Sequence, residues 1–254
     1  MADKSFQRLT GRAHFVLYIP AGACYCQYMC SRFTLISDPE TIRATFGYVN
    51  QPNFPPRHNV APTQPIAIVR VASNGARELV LVRWGLVPSW VKDPQEFSTI
   101  INARSETASE KPSFRAAMRH RRCLIPADGF IEWTGQKGSK RPFFIKRGDQ
   151  GLLAFAGLWE HWQGADGSEI ESAVILTTQA NETVSPLHNR MPVILNPEQF
   201  DAWLDCKRLA PDDVAEFLGP AEDDLLEAVE VHPRINNPAN DTPGILEPLQ
   251  GTLL

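Results

Sequence analysis

Between residues 65 and 178 the chain is cut into short β-branched and aromatic runs, each ended by turn residues. Runs of that length make strands but are too short for most helices, so they restrict the fold strongly. Residues 65–72 and 78–84 flank Ser73, Asn74 and Gly75 and predict a hairpin, and 98–103 reads as extended and buried. Residues 123–125, 130–133, 142–146, 153–162 and 172–178 predict further strands. Helix starts are few: Asp38 before Pro39 with Gly47 as the stop, residues 112–119, Asn196 before Pro197 running to Asp205, and Pro211 to Leu218 closed by Gly219. Beyond Arg234 the chain is rich in Pro, Asn and Asp and is expected to be mostly irregular. Many closely spaced strands with few helices predict an α+β fold. Its core should be a curved, barrel-like sheet, mixed or antiparallel, with short peripheral helices rather than a βαβ array.

A chain of 254 residues with 43% hydrophobic content can bury a substantial core. Its 21 prolines are scattered and no Gly/Ser or Pro-rich stretch separates two cores, so one domain is expected over 29–254, with an irregular tail from about 235. No apolar run approaches the ~20 residues that cross a bilayer, which predicts no membrane association. Residues 1–28 match a secretory signal poorly, because the apolar stretch is broken by Pro20 and crowded by Cys24, Cys26 and Cys30. They read instead as a leader that is non-native or removed, with Met29 as the initiator. Five cysteines without paired spacing fit a reducing cytosol and no structural zinc site, so no metal or cofactor is expected.

The net charge of −4 argues against a polyanionic partner until its distribution is examined. Residues 209–231 hold eight acids and no Lys or Arg, and setting those aside leaves the remainder at +4. Basic residues bunch at Arg115, Arg119, His120, Arg121 and Arg122, and again at Lys137, Lys140 and Arg141. Such clusters can follow a phosphate backbone or simply be solvated surface.

Cys30 follows Met29 and can therefore become an amino terminus. An α-amino group, with an ordinary pKa of ~7.7–8.0, is partly unprotonated at neutral pH and can attack an aldehyde. The neighbouring thiol can then close the imine into a thiazolidine, which no internal cysteine can do. Glu132 interrupts an apolar strand in which Ile131 and Trp133 share one face and Phe130, Glu132 and Thr134 the other. Turned inward, it would be an acid or base of raised pKa; turned outward or paired with arginine, an ordinary surface group. Asn102 and Arg104 follow a β-branched run, His188 and Arg190 precede Val193, and Trp84 and Trp90 bracket a Gly/Pro loop. Each has a structural reading as well as a functional one.

Together these segments resemble the SRAP family, the SOS response-associated peptidase proteins. The resemblance is carried, in family order, by Met29-Cys30-x-Arg32-Phe33, Asn59-Val60-Ala61-Pro62-Thr63, Trp84-Gly85-Leu86-Val87-Pro88-x-Trp90 and Ile101-Asn102-Ala103-Arg104-x-Glu106-Thr107. Cys123-Leu124-Ile125-Pro126-Ala127-x-Gly129-Phe130-x-Glu132-Trp133 and His188-x-Arg190-Met191-Pro192 complete it. It implies a cytoplasmic, monomeric DNA-damage protein that binds single-stranded DNA and crosslinks itself to abasic sites through an amino-terminal cysteine. Carried onto this chain, Cys30 is the nucleophile, Asn102 positions the sugar or the amine, Glu132 shuttles protons and His188 assists sugar ring opening as a general acid. Arg32, Arg104 and Arg190 become phosphate clamps, while Asn59, Pro62, Trp84 and Trp90 shape the surface that receives the strand. Two departures stand out. Ser31 replaces the family's usual glycine, which bears on the geometry beside the nucleophile, and with Met29 attached Cys30 has an amide where the chemistry needs an amine. Alternative readings are a cysteine peptidase that removes its own leader, using Cys30 with His188 and Glu132, and a non-covalent single-strand binding module.

Overall fold

The structure, a computed structural model, describes residues 30–136 and 138–253. The expected leader, with Cys24, Cys26 and Met29, and Lys137 of the second basic cluster lie outside the described residues. The chain opens with β1 (Phe33–Leu35) and α1 (Pro39–Phe46), followed by β2 (Arg57–Val60), β3 (Pro65–Val71) and β4 (Arg77–Trp84). Next come β5 (Asn102–Arg104), α2 (Ser105–Ala108), α3 (Arg115–His120), β6 (Arg122–Ala127), β7 (Gly129–Thr134) and β8 (Arg141–Arg147). The second half holds β9 (Leu153–Gln163), β10 (Glu169–Gln179), β11 (Arg190–Pro192), α4 (Phe200–Leu204), β12 (Leu226–Val231) and β13 (Pro248–Leu253).

Strands β10, β4, β3, β6 and β9 pair in that order, and β9 pairs back onto β10, so five strands close a barrel. Within it β10 runs parallel to β4 and then to β5, while its other pairings are antiparallel. A second sheet in the order β13-β12-β8-β7-β1-β2 curls beside it. The α+β, barrel-like expectation therefore holds. Closure follows from length: β9 and β10 are 11 residues each, long enough for β9 to pair with β6 over one half and β10 over the other.

Local chemistry fixed α1 as expected. Asp38 caps its start by accepting from Thr41 N–H at 3.0 Å, and Gly47 ends it at φ 68°, a left-handed conformation that glycine adopts without a Cβ clash. Other expectations shift. The segment from Pro197 begins as a 3-10 turn (Pro197–Gln199) before α4, and Pro211–Leu218 is 3-10 throughout, with Gly219 extended rather than left-handed. The acidic stretch contains β12, and the tail expected to be irregular ends in β13 after two 3-10 turns (Pro233–Asn236 and Pro243–Leu246).

Strand β7 divides two apolar clusters, as its alternation requires. Ile131 packs with Phe144, Val231, Ile235 and Ile245, and Trp133 lies against them. Phe130 faces the barrel side with Cys30, Phe33 and Phe155, where the rings of Phe33 and Phe130 meet Phe155 edge-on. Glu132 follows on that same side.

Candidate active site

The arm leading into β1 brings Cys30 to Glu132. Phe33 pairs with Phe130, and Arg32 C=O accepts from Ile131 N–H at 3.0 Å, so the residues before β1 run antiparallel along β7. Cys30 N–H then donates to Glu132 Oε1 at 2.6 Å. Both residues are removed from solvent, Cys30 at 0% and Glu132 at 3% exposure. Burial raises the Glu132 carboxyl from 4.5 to about 8, while the hydrogen bonds from Cys30 and Trp133 and the charge of Lys140 hold it from going further. Burial, then the negative charge of Glu132, push the Cys30 thiol well above its usual range. Both shifts favour the protonated forms, a neutral carboxyl and a neutral thiol.

Cys30 has a φ of 43°, uncommon for a residue with a side chain, whereas Ser31 lies outside the positive-φ region. The departure from glycine at Ser31 thus carries no left-handed strain; the strained torsion belongs to Cys30 itself.

Asn102 opens β5 and is half-buried opposite Ile175 of β10. Its neighbour Ile101, together with Ile175 and Met191, belongs to the same apolar cluster as Cys30. His188 sits in the turn before β11, half-buried, with Nδ1 accepting from Arg190 N–H at 3.1 Å. That acceptor role assigns the proton of the neutral ring to Nε2. Burial first, then the charges of Lys140 and Arg190, lower the His188 pKa below 6.5.

The basic and aromatic candidates divide. Arg104 is exposed and ion-paired to none of the described residues, Pro62 is half-buried, and Trp90 is 58% exposed with Phe97 edge-on at 5.8 Å. Trp84 is not a surface residue. It is fully buried, donates Nε1–H to Ile101 C=O at 3.0 Å and meets the Phe33 ring at 5.2 Å, because β4 carries it into the barrel. Asn59 is equally buried and acts on the tail rather than on a ligand. Its Nδ2 donates to the carbonyls of Ile235, Asn237 and Asn240 at 2.9–3.1 Å, and its Oδ1 accepts from Arg32. Arg32 is held by Asn59 Oδ1 and Ile235 C=O, and Arg190 by both oxygens of Glu106 and by Thr177 C=O. Both guanidiniums are thus partly engaged within the fold, and the buried Nε of each has no hydrogen-bond partner among the described residues. In the first basic cluster, Arg121 pairs with Glu160, and Arg122 is buried against the carbonyls of Met118, Trp203, Asp205 and Leu209. Those two bind the fold, not phosphate.

The site residue that sequence reasoning left in a generic basic cluster is Lys140, whose charge reaches both Glu132 and His188. The hairpin register could have found it, since Thr134 faces Arg141 and Lys140 is the next residue outward. An open cleft of about 720 Å³ lies instead at the far end of the barrel, among Val71, Gly75, Arg122 and Cys206. Its charged walls are largely spent in the Arg77–Asp201 and Arg208–Asp205 pairs.

Comparison with known proteins identifies the family. The family model for SOS response associated peptidase (SRAP) matches residues 29–238, a span that begins one residue before Cys30. The chain belongs to the SRAP family. Among its SRAP relatives, the "Abasic site processing protein YoqW" of Bacillus subtilis is 41% identical over 224 residues, covering 86% of this chain and 99% of that protein. The "Abasic site processing protein HMCES" of Gallus gallus is 32% identical over 236 residues, covering 80% of this chain and 69% of that one. A crystal structure of a protein from Bacteroides thetaiotaomicron superposes with a TM-score of 0.78 at 25% identity, over 87% of this chain and all of the other. Among the described residues no helix is long and apolar enough to cross a membrane.

Proposed function

We propose that this chain processes abasic sites in single-stranded DNA by capturing the sugar aldehyde on an amino-terminal Cys30. The observation that carries the reading is the 2.6 Å bond between Cys30 N and the buried Glu132 carboxyl. Once residues 1–29 are gone, that nitrogen is an amine beside a group able to accept and return a proton. Burial disfavours both an ammonium and a carboxylate, so the proton passes readily from the amine to Glu132 and leaves two neutral partners. The amine attacks the aldehyde carbon. After a proton moves from nitrogen to the new oxygen, Glu132 gives its proton to the departing hydroxyl, which leaves as water, and takes up the proton of the resulting iminium nitrogen, so the imine forms. The thiol then adds across the C=N bond, its sulfur to carbon and its proton to nitrogen, giving a thiazolidine. The net loss is one water. A protonated thiol suits this order, because the amine reacts first. His188 serves the earlier step by giving a proton to the ring oxygen of the closed sugar as the C1–O bond breaks and the anomeric hydroxyl releases its proton to solvent to become the aldehyde, with Asn102 orienting the sugar and Arg104 and Trp90 meeting the strand. Such a shielded lesion fits a cytoplasmic DNA-damage role.

The test is the intact mass of the Met29-initiated protein mixed with a single-stranded oligonucleotide carrying one abasic site. A denaturation-resistant species heavier by the oligonucleotide less one water is expected. An unmodified protein whose first residue is Cys30 would refute the covalent reading.

Self-removal of the leader is the second reading, and two observations favour it. The protonated Glu132 stands ready to donate to the departing Cys30 nitrogen, and cleavage abolishes the φ torsion of 43°, a strain of ~1–3 kcal/mol. The raised thiol pKa opposes it, since thiolate is the attacking form. Cys30→Ala in the full chain should preserve residues 1–29; continued cleavage there would dismiss self-processing.

A further inference from the structure

Strands β9 and β10 are longer than barrel closure needs. β6 pairs with β9 over 153–158 and β4 meets β10 at Ser172 and Ala173, so 161–163 and 169–171 pair as strands only with each other among the described residues. One face of this projecting end is apolar. Trp162, 6% exposed, and its register partner Ile170 pack with Val87, Val91 and Phe97 of the loop that joins β4 to β5, in a cluster separate from the larger cores. Two hydrogen bonds tie hairpin and loop together. Trp162 Nε1–H donates to Val91 C=O at 2.6 Å, and Val87 N–H donates to the fully buried Ser172 Oγ at 2.9 Å. A buried indole N–H requires an acceptor, and this one finds it on the neighbouring element. Residues 87–99 contain no helix or strand, so their placement depends on such ties. The gripped carbonyl belongs to Val91. Its chain neighbour Trp90 is turned out to solvent, with Phe97 edge-on at 5.8 Å. The loop is thus clamped from behind, one residue from the ring it presents.

We infer that Trp162 is a positioning residue for strand binding, which together with Ser172 holds the 87–99 loop so that Trp90 meets the strand in a preformed place. The inference rests on the proposed function and deepens it, giving the projecting end of the β9–β10 hairpin a part in recognition. A ring on an unanchored loop must be ordered when a base stacks on it, and that ordering is subtracted from the affinity. A ring whose loop is already bonded and packed from behind loses less. Phenylalanine at position 162 would keep most of the apolar packing but leave Val91 C=O without its donor, loosening the loop. Buried behind that loop, Trp162 acts on the strand through Trp90, so its effect should exist only while the Trp90 ring is there.

The experiment measures binding of the full chain and its variants to a single-stranded oligonucleotide with a tetrahydrofuran abasic analogue, which offers no aldehyde, at a temperature where each protein is folded by circular dichroism. Trp90→Ala should weaken binding roughly fivefold or more, the loss of one stacking ring. Trp162→Phe should weaken it roughly three- to tenfold through lost preorganisation. In the Trp90→Ala background, Trp162→Phe should change affinity by less than about twofold, because the two residues act as one unit. Ser172→Ala removes the other tie without touching the Trp162 ring; it should show the same dependence on Trp90, and it decides the matter if Trp162→Phe does not fold. In fluorotryptophan-labelled protein, the fluorine NMR line that is missing from Trp90→Ala should shift and narrow in Trp162→Phe as the ring gains mobility. Equal affinity losses in both backgrounds would mean that Trp162 supports the fold at large, and unchanged affinity with an unmoved Trp90 line would mean that the loop needs no anchor. Either result overturns the inference. If Trp90→Ala binds as wild type does, the Trp90 contact is wrong and the inference falls with it, while the mass test of capture on Cys30 is unaffected. A wild-type chain that binds no oligonucleotide removes the proposed function itself.

Discussion

Replacing Glu132 with glutamine should harm the chemistry and stabilise the fold, two effects of opposite sign from one buried carboxyl. Its pKa is about 8 in the folded chain and 4.5 ordinarily. A folded-state pKa above the unfolded one makes the carboxyl's contribution most favourable below pH 4.5, and that contribution is lost as pH rises through about 8. Between pH 5 and 7.5 the unfolded chain has largely given up its proton while the folded chain keeps most of it. At ~1.36 kcal/mol per pKa unit, wild type should lose about 3 kcal/mol relative to Glu132→Gln over that interval. Comparing the two pH values cancels the pH-independent cost of seating an amide nitrogen where an oxygen was. Glutamine still offers Oε1 to Cys30 N–H but cannot carry a proton. Crosslinking by the Met29-initiated variant should therefore slow by ~10²-fold or more, the range of a general acid–base group, with DNA affinity nearly unchanged. Urea unfolding of the full chain at several pH values reads the first effect, and single-turnover gel shifts read the second. Parallel stability curves would show that Glu132 does not titrate in this window, and equal crosslinking rates would refute its role as shuttle.

Trp84 and Trp90 should separate cleanly. Trp84→Ala is expected to cost ~3–5 kcal/mol of stability in chemical denaturation, because a fully buried ring and its bond to Ile101 are lost. Trp90→Ala should leave stability alone and weaken single-strand binding by ~1–3 kcal/mol in fluorescence titration, since that ring is exposed. Asn59→Ala strips a donor from three tail carbonyls and the acceptor from Arg32, so limited proteolysis should cut near residues 233–241 first, with a stability loss of ~2–4 kcal/mol. Arg122→Met should unfold at markedly lower urea, by ~3 kcal/mol or more, with DNA binding by the folded fraction unaltered, because its guanidinium serves backbone carbonyls.

Elements whose signals are local were readable from the sequence. Asp38, Pro39 and Gly47 specify α1 through contacts within a few residues, and Ser73 to Gly75 turn a hairpin whose strands pair with each other. Strand β12 was hidden because its stability is not local. Its acids entered only the charge balance, and their strand shows once Glu227 is placed beside Lys146 at 3.0 Å and Glu230 against Arg141 on β8. The same limit applies to the site. The pattern of β7 put Glu132 on the face of Phe130, which is where it lies, but no pattern reveals that Asn59 turns its amide to a tail about 180 residues away. Polar residues in a motif look alike whether they touch a ligand or hold the wall around it, and Trp84 and Asn59 hold the wall.

For the proposed chemistry, that wall is what keeps the Cys30 terminus in one place. The segment from His232 to Asp241 is stapled to β2, where Asp241 accepts from His58 and Asn59 N–H and pairs with Arg57. Asn236 Oδ1 accepts from Trp133 Nε1 at 2.7 Å, and Ile235 C=O accepts from Arg32. The residues thus fixed are Arg32, two positions after Cys30, and Trp133, one after Glu132. A free chain end would otherwise fray, and an amine that wanders gains nothing from a neighbouring acid. By tying down the second residue on one side and the first on the other, the tail holds nitrogen and carboxyl at hydrogen-bond distance. In the proposed capture reaction, the cysteine terminus supplies the two nucleophiles and the tail supplies the geometry in which they act in turn.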